Sequence, residues 1–286
     1  MKTQAMEIKH IAVIGAGVMG QGVAYQFAKY DYDITLVDLS EDILANAKKN
    51  IRNIERLDKM LHKSASTVNV LDKITLTTEL AAISQADFII ENVTENISLK
   101  EGLYQQLKAV VADHALLAVN TSAVSITRLA AFLKHPQQVM GIHFMNPVHL
   151  KPTVEVIRGF HTSTTTIDVT QSLLQSVQMT GVVVNDLPGF ISNRVLMLTV
   201  NEAIFALQDS VATVPDIDKI FRECFGHKMG PLETADLIGL DTILYTLDVL
   251  LASYNDTKFR PAPLLRKMVD AGLHGRKSGE GFYKYN

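Results

Sequence analysis

His143 and Glu155 are the two side chains of this 286-residue chain that are best suited, by type and position, to transfer a proton. His143 stands near the end of the apolar run 139–144, and Glu155 interrupts a second apolar run at 154–157. A buried carboxylate is costly unless another group pairs with it. A histidine beside a carboxylate gains basicity, which suits a general base working near neutral pH. The sequence therefore predicts a His143–Glu155 pair; the alternative is two unrelated polar residues at strand ends.

Ser122 is a third candidate, in the segment Asn120-Thr121-Ser122 that follows the apolar run 116–119. Its hydroxyl could donate a hydrogen bond to a reacting oxygen. Alternatively, Ser122 could be the N-cap of the helix that follows, because serine is favoured at that position. The residue types leave both interpretations open.

A glycine-rich turn near the N-terminus predicts a dinucleotide site. The motif Gly15-x-Gly17-x-x-Gly20 lies between the apolar run 11–14 and a segment with helical spacing. The first glycine permits the tight turn, the second lets a pyrophosphate approach the backbone, and the third lets the helix pack on the strand. Free N–H groups at the start of the helix then bind the phosphates. The residues of the turn that we expect to bind the cofactor are Gly15, Gly17, Val18, Met19 and Gly20.

Asp38 indicates which dinucleotide binds. It stands at the end of the second apolar run, 18 residues after Gly20. A carboxylate there accepts hydrogen bonds from the ribose hydroxyls and repels a 2′-phosphate. Leu39 and Ser40 follow, so that no arginine is in place to hold such a phosphate. The sequence thus favours NAD over NADP, with FAD as the alternative because the same kind of turn binds it.

Short apolar runs alternate with longer segments of helical length before residue 186. The runs lie at 11–14, 34–37, 88–90, 116–119, 139–144, 154–157 and 182–184. This alternation predicts an α/β fold with a Rossmann-type, doubly wound, mostly parallel sheet. Beyond residue 186 the pattern is helical, with helices expected over 190–207, 214–225 and 238–254. We therefore expect a dinucleotide-binding domain at 1–186 and an all-helical C-terminal domain at 187–286.

The composition argues against several classes of function. The net charge of −3 provides no basic footprint for nucleic acid. No apolar run approaches the ~20 residues that span a membrane, and the N-terminus lacks the apolar core of a signal peptide. Because Cys224 is the only cysteine, neither an intrachain disulfide nor a thiolate metal cluster is expected, and we predict no metal site. The expected location is the cytoplasm.

The order of these motifs resembles the L-3-hydroxyacyl-CoA dehydrogenase family, which includes bacterial 3-hydroxybutyryl-CoA dehydrogenases. The likeness covers nearly the whole chain. The segments that carry it are GAGVMGQG at 15–22, Glu91-x-x-x-Glu95, Asn120-Thr121-Ser122, HFMNP at 143–147, PGFISNR at 188–194, GPLETAD at 230–236 and GRKSGEGFY at 275–283.

The resemblance implies a role for each matching residue. His143 would be the general acid and base and Glu155 the carboxylate that orients it, while Ser122 and Asn193 would contact the reacting oxygen and the thioester region. The contacts to NAD that the resemblance implies come from Asp38, Glu95, Lys100, Asn120, Ser122, Asn146 and Lys277. It also implies a homodimer formed through the helical domain.

Three segments depart from the family pattern, and the first is Glu91-Asn92-Val93, where Glu-Ala-Val is usual. Residues 146–155 read NPVHLKPTVE where CoA enzymes usually read NPxPxMKLVE, and residues 57–63 read LDKMLHK, with apolar Met60 and Leu61 where charge is usual. These departures resemble a polyketide-pathway branch that oxidises a hydroxyacyl group, such as glyceryl, on an acyl carrier protein. The substrate is therefore expected to be an acyl thioester of CoA, or alternatively of a carrier protein. A non-catalytic NAD-binding relative is the remote alternative.

Overall fold

The computed structural model describes residues 7–62, 68–122 and 124–285. The chain divides into a first unit that ends at Leu187 and a second unit that begins at Pro188. The predicted boundary lies one residue earlier, at 186. Each unit is described by itself below.

The first unit is built on one eight-stranded sheet. Its strands are β1 (His10–Ile14), β2 (Asp33–Val37), β3 (Ile74–Thr77), β4 (Phe88–Glu91), β5 (Leu116–Val119), β6 (Val139–His143), β7 (Thr153–Arg158) and β8 (Thr180–Asn185). They lie in the order β3-β2-β1-β4-β5-β6-β7-β8, and every neighbouring pair is parallel except β6 with β7. The mostly parallel sheet is thus confirmed.

The central strands are buried on both faces, which explains their apolar sequences. Every residue of β4, β5 and β6 is buried, because helices cover the two faces of a parallel sheet. Strand β3 has no counterpart among the predicted strands. It lies at an edge, alternates isoleucine and leucine with threonine, and has only one buried residue, so it lacks the continuous apolar run of the others.

Five helices connect these strands within the described part of the first unit. They are α1 (Val18–Ala28), α2 (Glu41–His62), α3 (Ile97–Val110), α4 (Ile126–Ala130) and α5 (Thr164–Ser176). The strand order reverses between β1 and β4, since β1 pairs with β2 on one side and with β4 on the other. In open α/β sheets, ligands bind at the carboxyl ends of the strands beside such a reversal.

The second unit is helical. Its helices are α6 (Ser192–Gln208), α7 (Val214–Phe225), α8 (Pro231–Ile238), α9 (Leu240–Tyr254) and α10 (Pro263–Asp270). Prolines lie in the first turns of α7, α8 and α10, where a missing N–H costs nothing. The core contains fully buried apolar side chains from α6 and α9, among them Val200, Ile204, Leu247 and Leu250. The predicted helical second domain is confirmed.

Candidate active site

The antiparallel pairing of β6 with β7 places His143 directly opposite Glu155. His143 Nδ1 lies 2.8 Å from Glu155 Oε2, and both residues are only 7% exposed. An ionised carboxylate only accepts hydrogen bonds, so Nδ1 carries the hydrogen and donates it. In the neutral imidazole, Nε2 then carries no hydrogen and is the basic nitrogen. The two residues therefore form the arrangement that a general base requires.

Ser122 lies on the other side of the imidazole. Its Oγ is 3.1 Å from His143 Nε2, within the range for a hydrogen bond that the hydroxyl donates. The alternative role as an N-cap is wrong, because α4 begins later and its N-cap is Ser125, whose side chain accepts from Arg128 N. Ser122 is thus placed where its hydroxyl and the imidazole face one position for a reacting oxygen.

Glu95 fixes the backbone on which Ser122 stands. Its Oε1 accepts a hydrogen bond of 2.5 Å from the backbone N–H of Ser122, and its Oε2 accepts one of 2.8 Å from Thr121 Oγ1. Glu95 itself is exposed. This carboxylate therefore ties the loop after β4 to the end of β5.

Asn120 links three strand ends. Its Oδ1 accepts from Phe144 N at 3.2 Å, beyond the end of β6, and its Nδ2 donates to Asn92 Oδ1 at 2.7 Å, beyond the end of β4. Asn146 lies exposed in the loop after β6, two residues beyond Phe144. Of the residues that the resemblance assigns to catalysis and cofactor binding in the first unit, Glu95, Asn120, Ser122, His143 and Asn146 thus lie at or just beyond the carboxyl ends of β4, β5 and β6, whereas Asp38 follows β2, Glu155 lies on β7 and Lys100 lies on α3.

The glycine turn has the form that a dinucleotide site needs. Gly15 has a φ of +97° and donates its N–H to Val37 O at 2.7 Å. Gly17 is the N-cap of α1, and a Cβ added there would meet no atom within 4 Å, which leaves room for a pyrophosphate. A Cβ added at Gly20 would lie 1.8 Å from the carbonyl oxygen of Gly15. Val18 is exposed and is the first residue of α1, and Met19 is the second.

Asp38 braces this turn from the end of β2. Its Oδ2 accepts from Ala16 N at 2.6 Å, and its Oδ1 accepts from Leu39 N at 2.7 Å. Asp38 remains partly exposed, so that lone pairs of the carboxylate stay available to ribose hydroxyls. The residue therefore supports the turn and keeps part of its carboxylate accessible.

Lys100 has a different environment from the one expected of a cofactor contact. The side chain is fully buried, and its ammonium group lies 2.8 Å from each carboxylate oxygen of Glu91. The sequence interpretation missed Glu91 as a site residue, although a carboxylate that ends the apolar run 88–90 carries the same signal as Glu155. A carboxylate within a buried strand implies a cationic or hydrogen-bonding partner.

Asn193 and Lys277 lie in the second unit. Asn193 is the second residue of α6. Lys277 lies two residues after Gly275, whose φ is +89°. Lys277 Nζ contacts both carboxylate oxygens of Asp241 at 2.5 and 2.6 Å. Asp241 lies in the first turn of α9, and its hydrogen bond with Lys277 opposes the effect of burial and lowers the pKa of its carboxyl group.

No group of three or more His, Cys, Asp or Glu side chains in the described ranges could hold a metal ion. In the same ranges, no helix has the length and apolar character needed to cross a membrane.

Two family models match this chain, and together they cover almost all of it. Residues 10–187 match the model described as "3-hydroxyacyl-CoA dehydrogenase, NAD binding domain", and residues 189–285 match "3-hydroxyacyl-CoA dehydrogenase, C-terminal domain".

Similar proteins agree with these matches. A probable 3-hydroxybutyryl-CoA dehydrogenase from Deinococcus radiodurans is 43% identical over 96% of this chain and 99% of its own. A 3-hydroxybutyryl-CoA dehydrogenase from Bradyrhizobium diazoefficiens is 40% identical over 98% of this chain and 97% of its own. The crystal structure of (S)-3-hydroxybutyryl-CoA dehydrogenase from Ralstonia eutropha has a TM-score of 0.93 and 36% identity, and covers 98% of this chain and 100% of its own.

The glycine turn allows a matched pair of substitutions. Gly20→Ala should lower the free energy of unfolding by about 1–3 kcal/mol or more, because the new Cβ overlaps a backbone oxygen. Gly17→Ala should cost less than about 1 kcal/mol, because its Cβ enters open space at an N-cap. It should nevertheless weaken NADH binding on the order of tenfold or more, since that space is the one proposed for the pyrophosphate.

Urea unfolding and titration of NADH fluorescence measure the two effects separately. Wild-type NADH affinity in Gly17→Ala would contradict the proposed position of the pyrophosphate.

Proposed function

The chain belongs to the 3-hydroxyacyl-CoA dehydrogenase family, and we propose that it interconverts the 3-hydroxy and 3-keto forms of a short-chain acyl-CoA, with 3-hydroxybutyryl-CoA as the main candidate. It is an NAD-dependent oxidoreductase of that family. The observation that carries the proposal is the hydrogen-bonded series Ser122, His143 and Glu155 at the carboxyl end of the sheet. Relatives named 3-hydroxybutyryl-CoA dehydrogenase support the choice of substrate.

The mechanism follows from the protonation state of the imidazole. Glu155 holds the hydrogen on Nδ1, so His143 Nε2 can take the proton of the 3-hydroxyl group as general base. When bound, NAD supplies the acceptor for the hydride that leaves C3. In the reverse direction, protonated His143 and the Ser122 hydroxyl donate hydrogen bonds to the 3-keto oxygen and polarise it. Glu155 stabilises the imidazolium formed in oxidation, because the two groups then have opposite charges.

The proposed cofactor contacts of the first unit come from its glycine turn and from residues beyond its strand ends. In the first unit, the free N–H groups at the start of α1 would bind the phosphates, and Asp38 would accept from the ribose hydroxyls. Glu95, Asn120, Ser122 and Asn146 would lie along the nicotinamide end. The contact of Asn193 with the thioester region and that of Lys277 with NAD stay predictions that the resemblance implies.

A non-catalytic NAD-binding protein is a poorer account of these residues. Burial of the His143–Glu155 pair is costly, and a protein that only binds NAD has no need for an imidazole base facing a serine hydroxyl.

The expected cytoplasmic location stays a prediction.

Replacement of the histidine tests the proposed function. His143→Gln should reduce kcat for the reduction of acetoacetyl-CoA by a factor of ~10²–10⁴, because it removes the general acid and base. Glu155→Gln should reduce kcat less, because it removes only the charge that orients and stabilises the imidazole. Absorbance at the NADH band measures both rates.

The affinity for NADH is the control, and it should be near the wild-type value in both variants. If the wild-type protein reduced no acyl thioester while binding NADH tightly, the non-catalytic alternative would hold. Equal rates in the wild-type protein and His143→Gln would exclude the mechanism.

An exposed face of α2 supports the carrier-protein alternative. Leu57 is 52% and Met60 71% exposed, so these two side chains are not buried helix residues. Lys49, Arg52 and Arg56 lie exposed on a neighbouring face of the helix at spacings of three and four residues. An apolar centre with a cationic rim is suited to an acidic carrier-protein helix. The Leu61 side chain and Lys63, which belong to the same departing segment 57–63, lie outside the described residues.

A comparison of one acyl group on two carriers decides between the substrates. With matched concentrations of 3-hydroxybutyryl-CoA and of the same acyl group on an acyl carrier protein, we expect a higher kcat/KM for the CoA ester. A preference for the carrier protein that weakens with added salt would favour the alternative, because salt screens the attraction between the helix and an acidic partner.

We propose that the protein forms a homodimer through the second unit. A groove of about 370 Å³ lies between α6 and the α7–α8 region, lined by Val195, Phe221 and Met229 among others. Ile220 and Phe225 on α7 are also 50% and 65% exposed. Together with the groove they give the unit a larger exposed apolar surface than scattered single residues would.

Val195→Asp should convert the dimer into a monomer, because the new carboxylate would be buried in the interface without a partner. Light scattering after size-exclusion chromatography measures the mass. Val211→Asp is the matched control, since Val211 is 75% exposed and does not line the groove. A dimer that survives Val195→Asp would place the interface elsewhere.

A further inference from the structure

The ion pair between Glu91 and Lys100 is entirely buried within the first unit. Both carboxylate oxygens of Glu91 lie 2.8 Å from Lys100 Nζ, and both side chains have no exposed surface. Lys100 is the fourth residue of α3, where the positive end of the helix dipole disfavours a cation. Glu91 is therefore the group that makes this position of the lysine tolerable.

Tyr104 completes the surroundings of the carboxylate. Its hydroxyl lies 3.5 Å from Glu91 Oε2, one turn beyond Lys100 on α3. Burial raises the pKa of Tyr104 well above its usual value, so the hydroxyl remains a donor. Burial also raises the pKa of Glu91, and the charge of Lys100 opposes this effect. The ammonium and the phenol of α3 are thus both directed at one carboxylate at the end of β4.

The pair ties the end of β4 to the first turn of α3, across the loop 92–96 that connects them. Besides Lys100, Glu91 Oε1 accepts a hydrogen bond of 2.6 Å from the backbone N–H of Val93 in this loop. The backbone of Asn92 then packs on the first glycine of the dinucleotide turn. A Cβ at Gly15 would lie 2.8 Å from the carbonyl oxygen of Asn92.

The same loop carries Glu95, which accepts from the backbone N–H of Ser122. A shift of the loop would therefore disturb both the packing on Gly15 and the support of Ser122. These contacts connect a buried ion pair to the two parts of the site that must be aligned for hydride transfer, the cofactor turn and the serine that faces the imidazole.

We propose that Glu91 and Lys100 are positioning residues: their ion pair fixes the loop 92–96 against Gly15 and Ser122, and Lys100 acts on cofactor binding through Glu91 rather than by touching NAD. The proposal rests on the proposed function only for the role of Ser122 in turnover. Its effect on NADH binding does not depend on which thioester is the substrate.

A double-mutant cycle of Glu91→Gln, Lys100→Met and the combined variant tests this proposal. Each single substitution should weaken NADH binding by about tenfold, and the combined variant should be no weaker than the worse single one. A direct contact between Lys100 and NAD predicts instead that Lys100→Met weakens binding by the same factor with and without the Glu91→Gln substitution. That additive result would overturn the proposal, as would unchanged NADH affinity in the folded variants.

Hydrogen exchange on cofactor-free protein keeps the proposal testable if a single variant fails to fold. Removing one partner leaves an unpaired buried charge, whereas the combined variant has none and is the safest to fold. Peptides that cover the loop 92–96 should exchange at least tenfold faster in the combined variant, while the sheet stays protected. Unchanged exchange of the loop would exclude a positioning role, because no cofactor is present to lose a contact.

Asp58→Asn is the matched control for general destabilisation. Asp58 is also a buried carboxylate of the first unit, and it accepts from Lys29 Nζ at 2.5 Å and from Tyr25 OH at 2.6 Å. Its substitution should lower the melting temperature and leave NADH affinity unchanged. If the control weakens NADH binding as much as the cycle variants do, the effect is general loss of stability and the proposal is wrong. The binding assays need no substrate, so absence of thioester turnover in the wild-type protein would count against the proposed function alone.

Discussion

The buried hydrogen bond between His143 and Glu155 depends on a single reversal of strand direction. β7 runs antiparallel to β6 in a sheet whose other neighbouring strands are parallel, and this places the two residues opposite each other in register. Because both groups are buried, leaving either one without its partner would be costly in free energy. The hydrogen bond therefore stabilises the strand register, and the register brings the two groups together. The tautomer of the imidazole, and hence the basic Nε2 that faces Ser122, follows from this contact.

Around that pair, side-chain hydrogen bonds to backbone groups align the ends of the strands. Glu95 holds Ser122 N, Asn120 holds Phe144 N, and Asp38 holds Ala16 N. Carboxylates and amides used in this way fix loops that a parallel sheet leaves without ladder partners. The polar site of the first unit therefore lies on strand ends, and on the short segments after them, which these hydrogen bonds hold in place.

Each of several buried carboxylates also has a partner that offsets the cost of its burial. Glu91, Glu155 and Asp58 are all buried carboxylates, and each has a cationic or imidazole partner within 2.8 Å. The second unit uses Asp236 similarly, which accepts from the backbone N–H groups of Phe282 and Tyr283 at 2.9 Å. These contacts anchor the segment that follows Lys277.

The sequence by itself determined the features that depend on local pattern: the buried strands, the glycine turn with Asp38, the helical second unit and the His143–Glu155 hypothesis. Such features follow from apolar periodicity, from the backbone freedom of glycine and from the cost of a buried charge. Only the tertiary structure decided that β7 is antiparallel, that Ser125 and not Ser122 caps α4, and that Lys100 is directed at Glu91. These are contacts between residues distant in the chain or choices among equivalent polar side chains, and packing selects among them.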